Sequence, residues 1–142
     1  MLGRGATIGL MLVIGSIVIR VHDLKRQVDF WTQALNYVAR DGDDDTFALL
    51  HPRDGKGPNV SLDTAPSTVQ VPPRIHLDLY AQDQAAEVGR LKALGATDVE
   101  WARKPADADY VILADPEGNR FCVIDATDWP GFEGRTPPSP RQ

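Results

Sequence analysis

Cysteine is almost missing from this chain: Cys122 is the only one in 142 residues. No internal disulfide can therefore staple the fold, and a reducing compartment, the cytoplasm, is the expected setting. Histidine is nearly as scarce, and no Cys-rich or His-rich tract marks a structural zinc. Positive charge is in deficit, with 15 Lys and Arg against 20 Asp and Glu, a net charge of −5. Nucleic acid is excluded as a partner, because its binders carry a basic footprint. Long apolar runs are also lacking. Met1–Ile19 is apolar apart from Arg4, but Gly3, Gly5, Gly9 and Gly15 interrupt it and Arg20 ends it. That falls short of the roughly 20 apolar residues of a membrane span, and no cleavage-like stretch makes it a signal peptide. The expectation is a loose leader over 1–10, a buried strand over Met11–Val21, and no membrane partner. Met11 is an alternative start.

What the chain does have is enough apolar residue, 42%, for the core of one ordinary domain over 11–132. Its clearest stretch is Tyr110–Asp125, YVILADPEGNRFCVID. Two apolar strands, Tyr110–Ala114 and Arg120–Asp125, flank Asp115-Pro116-Glu117-Gly118-Asn119, whose Pro, Gly and Asn suit a tight turn. Phe47–Asp63, FALLHPRDGKGPNVSLD, repeats that plan. His51, Arg53 and Lys56 make its turn basic, as a solvated loop allows.

Each hairpin has a helix ahead of it. Asp23 is an N-cap before Leu24, Val28, Trp31 and Leu35, with Phe30 and Ala34 widening the stripe and Asn36 ending it. Asp83 caps a second helix carrying Val88, Leu91 and Leu94, and Gly95 stops it. Tyr37–Arg40 and Thr97–Trp101 read as short strands. Asp41-Gly42-Asp43-Asp44-Asp45 lacks the spacing and terminal Glu of a calcium loop, so it reads as a solvated turn. Arg74–Tyr80 alternates, with Ile75, Leu77 and Leu79 on one face and His76, Asp78 and Tyr80 on the other.

Subtracting 60 sends His76 to Ser16 and Asp83 to Asp23, and subtracting 62 sends Cys122 to Val60. The predicted fold class is α+β: two tandem βαβββ modules, about 11–63 and 74–126, joined by a proline-bearing linker over 64–73. Together they form a curved, partly open sheet around a cleft, with helices on the outside. Trp129-Pro130-Gly131-Phe132 is expected to dock on the body, and 133–142 reads as a disordered tail.

These motifs resemble the vicinal oxygen chelate superfamily of glyoxalases, extradiol dioxygenases and bleomycin-resistance proteins. The resemblance rests on IVIRVHDLKRQVDFWTQALNY, RIHLDL and LADPEGNRFCVID, and it is closest to the glyoxalase-like domains. It implies metal ligands on the first and last strand of each module, usually His, Gln or Glu. Here those positions offer Ser16, either Val60 or Ser61, His76 and Cys122. A single strong donor is a poor site for a hard divalent ion, so no cofactor is expected, and His76 is the only metal candidate. The resemblance also implies a homodimer.

Alternation adds Arg20, Asp78 and Tyr80 to the cleft beside Ser16, His76 and Cys122. Arg20 either pairs with Asp78 or holds a ligand carboxylate. Tyr110, with Trp101 and Trp129, supplies either an aromatic wall or ordinary core. Three functions stay open. One is a metal-free protein that binds a small organic molecule in the cleft. Another is a metal-dependent lyase or dioxygenase of the glyoxalase type that retains His76. The third is an interaction domain with its cleft filled by its own side chains.

Overall fold

A computed structural model describes residues 11–135. The leader over 1–10 and the tail from 136 onward lie outside the described residues. The first module runs β1 (Ser16–Val21), α1 (Leu24–Leu35), β2 (Tyr37–Ala39), β3 (Phe47–Pro52) and β4 (Asn59–Thr64). The second runs β5 (Leu77–Ala81), α2 (Gln84–Leu94), β6 (Thr97–Asp98), β7 (Tyr110–Ala114) and β8 (Arg120–Asp125). Each module makes its own four-stranded mixed sheet, in the orders β1-β4-β3-β2 and β5-β8-β7-β6. The first strand of each module pairs parallel with the last, so β1 and β5 are edge strands.

Both helices start and stop by the same local chemistry. Asp23 and Asp83 each accept a hydrogen bond from the backbone N–H three residues on, at 3.1 Å. Asn36 closes α1 in the left-handed region at φ 57°, and Gly95 closes α2 at φ 123°. The acidic turn is built rather than merely solvated. Asp43 accepts from Arg40 and from the Leu49 backbone, and Asp44 accepts from both the backbone and the hydroxyl of Thr46.

Three strands are shorter than the apolar pattern suggests. Met11–Ile14 is exposed, Leu12 by 98%, and β1 starts only at Ser16. The reason is pairing: the partner strand β4 begins at Asn59, opposite Ser16. Likewise β5 starts at Leu77, where β8 offers Phe121, and Ile75 stands 85% exposed ahead of it instead of facing α2. Thr97–Trp101 contracts to Thr97–Asp98, the two residues that pair with β7.

One hydrophobic core serves both modules. Val60 and Leu62 of β4, Ala48 and Leu50 of β3, and Phe30 and Trp31 of α1 join Leu91, Leu113, Phe121 and Val123 in a single cluster. Phe121 of the second module meets Trp31 of the first edge to face, with ring centroids 5.4 Å apart. Removing such a ring from water contributes about 1.5–3 kcal/mol. Module two also holds α1 at both ends. Arg90 of α2 donates to the carbonyls of Gln33 and Ala34 at its C-terminus, at 2.9 and 3.0 Å. Glu117 accepts from the backbone N–H groups of His22 and Asp23 at its N-terminus, both at 2.7 Å.

Candidate functional site

The register decides which side chains share a face. In module one Ile17, Ile19, Val60 and Leu62 face α1, and Ser16, Val18, Arg20 and Ser61 face away. In module two Leu77, Leu79, Phe121 and Val123 turn to the core, leaving Asp78, Tyr80 and Cys122 on the open face. Val18 pairs with Ser61 as Asp78 pairs with Cys122. The counterpart of Cys122 is therefore Ser61, an offset of 61 and not 62. Val60 cannot take that place, because the register pairs it with Ile17 on the face turned to α1 and the core. A slip of one residue exchanges the two faces of a strand.

The open-face candidates fall into separate groups. The hydroxyls of Ser16 and Ser61 are 2.6 Å apart and bond each other. Arg20 forms its ion pair with Asp63 on the neighbouring strand, not with Asp78. His76 lies 3.0 Å from Asp78 through Nε2 and Oδ1, and ligand atoms of His76, Asp78 and Cys122 all lie within 4.8 Å of one another. Burial pushes the Cys122 thiol up, and the Asp78 charge pushes it further, while Lys104 pulls it down. Tyr80 packs edge to face on Trp129 at 5.1 Å, so the segment around the short 3-10 helix Pro130–Phe132 docks on this sheet. Tyr110 lies further along β7 with the Lys104 ammonium 5.5 Å from its ring centre.

This donor set does not fit a hard octahedral ion. Two of the four positions are neutral hydroxyls that satisfy each other, and the thiol is held toward its protonated form.

A concavity lies elsewhere, at the seam of the modules. It is a slot of about 800 Å³ lined by β1, the linker, the start of β5 and the β7–β8 turn. Ile17, Ile19 and Leu77 form apolar walls, and Trp31 and Phe121 close its floor. Among the predicted site residues, Arg20 and His76 line it, and Ser16, Asp78, Tyr80, Cys122 and Tyr110 do not. Pattern reading missed Ser67, Thr68 and Gln70 of the linker, together with Arg74, Asn119 and Arg120. Their only signal was position: they lie in a connector, beside a strand start and in a turn, where periodicity carries no information.

The glyoxalase-like domain family model matches residues 16–124, from the first residue of β1 to the penultimate residue of β8. The chain belongs to the glyoxalase-like domain family. This glyoxalase-like chain has the fold of the vicinal oxygen chelate superfamily, as its structural neighbours agree. A genomically encoded fosfomycin resistance protein from Listeria monocytogenes superposes with a TM-score of 0.65 at 15% identity, over 84% of this chain and 94% of that one. A glyoxalase-related enzyme from Fulvimarina pelagi gives 0.63 at 14% identity, over 84% and 92%. A glyoxalase/bleomycin resistance protein/dioxygenase family enzyme from Burkholderia phytofirmans PsJN gives 0.60 at 18% identity, over 79% and 97%. At such identities the likeness is one of fold. No curated protein matches the sequence.

Proposed function

We propose that this glyoxalase-like domain binds a small organic molecule in the slot between its modules and does so without the divalent metal typical of the superfamily. One observation carries the proposal: a cavity of about 800 Å³ with apolar walls and a few polar groups, among them Arg20 and His76. That volume and lining are those of small-molecule sites generally. The self-satisfied Ser16–Ser61 pair and a thiol that burial pushes up support the metal-free half. A cytoplasmic homodimer is part of the same proposal, because each sheet leaves strand edges that proteins usually cover or pair.

The test is a fragment screen read by two-dimensional NMR on isotopically labelled protein in chelator-containing buffer. Binders are expected to shift the amides of Ile17–Arg20 and Arg74–Leu77, and Ile19→Trp, which plugs the slot, should abolish those shifts. Binders that cluster elsewhere, or that survive the plug, would remove the slot from consideration.

A second reading has its own observation. His76, Asp78 and Cys122 bring an imidazole, a carboxylate and a thiol within 4.8 Å of one another. A lyase or dioxygenase of the glyoxalase type would use His76 there as its retained ligand. That reading predicts a metal whose loss follows His76→Ala.

A further inference from the structure

The slot is cationic in a chain that is acidic. Arg20, Arg74 and Arg120 line it against one carboxylate, Glu117, although the whole chain carries a net charge of −5. Two of these charges are already spoken for. Arg20 is neutralised by Asp63, and both oxygens of Glu117 are engaged by backbone N–H groups at the start of α1. Arg74 and Arg120 remain, and neither has an ion-pair partner among the described residues. Arg74 is exposed at the rim, whereas Arg120 is half-buried. An unpaired guanidinium keeps its donors free, and its planar fork matches a carboxylate.

We infer that the slot takes an organic carboxylate, its charged end on Arg120 with Arg74 beside it and its apolar body along Ile17, Ile19 and Leu77. The inference rests on the slot being the binding site proposed above. The residue that recognises the anion is thus not Arg20, whose charge Asp63 has taken, but the arginine one position before Phe121 on β8. A carboxylate suits the place better than a phosphate. Phosphate sites gather many donors, often at a helix N-terminus, and the start of α1 already holds two carboxylates, Asp23 and Glu117, which repel a second polyanion. Apolar walls and floor reward a ligand with a hydrocarbon body.

The experiment uses three probes on the full chain: 4-phenylbutyrate, 4-phenylbutan-1-ol and inorganic phosphate, each titrated with NMR reading both affinity and location. The acid should shift the amides of Ile17–Arg20 and Arg74–Leu77 and bind at least about tenfold more tightly than the alcohol, as a charge-assisted pair on a guanidinium allows. Arg120→Met should erase that preference and leave binding of the alcohol unchanged. Arg120→Lys should keep part of it. Spectral dispersion checks that each variant is folded. If Arg120→Met fails that check, Arg120→Lys and Arg74→Met carry the comparison. Equal affinity for acid and alcohol at the slot overturns the carboxylate inference and spares the binding site. Shifts by neither at the slot overturn both. Phosphate binding as tightly as the acid overturns the choice of an organic carboxylate.

Discussion

The Asp115 carboxylate lies beneath α1, where Oδ2 accepts from the amide of Gln27 at 2.8 Å and from the indole of Trp31 at 3.2 Å. Asp115 belongs to the turn of the second module, and Gln27 and Trp31 belong to the helix of the first. Its other oxygen accepts from the backbone of Glu117 and Asn119 and so shapes the turn itself. Asp115 is 2% exposed and Gln27 is fully buried. A carboxyl group is tolerated at that depth because so many donors converge on its oxygens. The turn that closes the last hairpin is therefore also the clasp between the modules.

Asp115→Ala is expected to destabilise the protein by at least about 3 kcal/mol, because it strands several buried donors at once. Trp31→Phe keeps most of the ring and removes one donor, and it should cost about 1–2 kcal/mol. Chemical denaturation measures both. A loss below about 1 kcal/mol for Asp115→Ala would mean that the clasp contributes little.

Leu77 and His76 are neighbours with opposite roles. Leu77 packs on the core, whereas His76 is exposed and its hydrogen bond with Asp78 is solvated. Leu77→Ala should destabilise by roughly 2–5 kcal/mol, and His76→Ala should leave the melting temperature nearly unchanged. The reverse order of costs would mean that the facing of β5 has been misread.

Ser16 and Ser61, two of the positions where the superfamily resemblance implies metal ligands, bond each other at 2.6 Å. Protein purified without chelator should accordingly carry far less than about one divalent ion per chain. Elemental analysis on the native oligomer decides this. A stoichiometric ion that disappears in His76→Ala would establish the metal-dependent reading instead.

The Cys122 thiol and the Tyr37 hydroxyl are both pushed up, each chiefly by burial. For an acid whose folded value is raised, the unfolded chain loses its proton first, so rising pH favours unfolding. The contribution is whole below the ordinary values, about 8.5 for a thiol and about 10 for a phenol, and is lost above them. Stability should thus fall from about pH 8.5 upward, and less steeply in Cys122→Ala. Iodoacetamide at pH 8 should alkylate Cys122 more slowly than it alkylates glutathione. Equal rates would show an unperturbed thiol.

The proposed dimer is checked by sedimentation at micromolar concentration. The expected mass is twice that of the 15.6 kDa chain, and a mass near a single chain would count against it.

Local chemistry was legible in the sequence wherever it is local. Asp23, Asn36, Asp83 and Gly95 cap the helices they were expected to cap. β7 and β8 begin and end where turn residues and apolar runs place them, because each strand pairs with the other across five residues. The doubling of the βαβββ plan was also visible, since each copy repeats the same cap, helix and hairpin. The facing of Leu77 and Leu79 against Asp78 and Tyr80 followed from alternation alone.

Tertiary structure decided everything that depends on pairing between distant segments. Only the β1–β4 ladder could choose Ser61 over Val60, because the two differ by a single step and both are compatible with a strand. Only that ladder could give Arg20 to Asp63, which lies 43 residues away. Met11–Ile14 and Ile75 have the composition of core strand but find no partner strand among the described residues, and they stand exposed. Nor could any pattern announce that the turn around Asp115 would grip α1, or that linker and strand edges would enclose a slot. Those arrangements arise when two modules close on one core, and a one-dimensional sequence records the side chains without the distances between them.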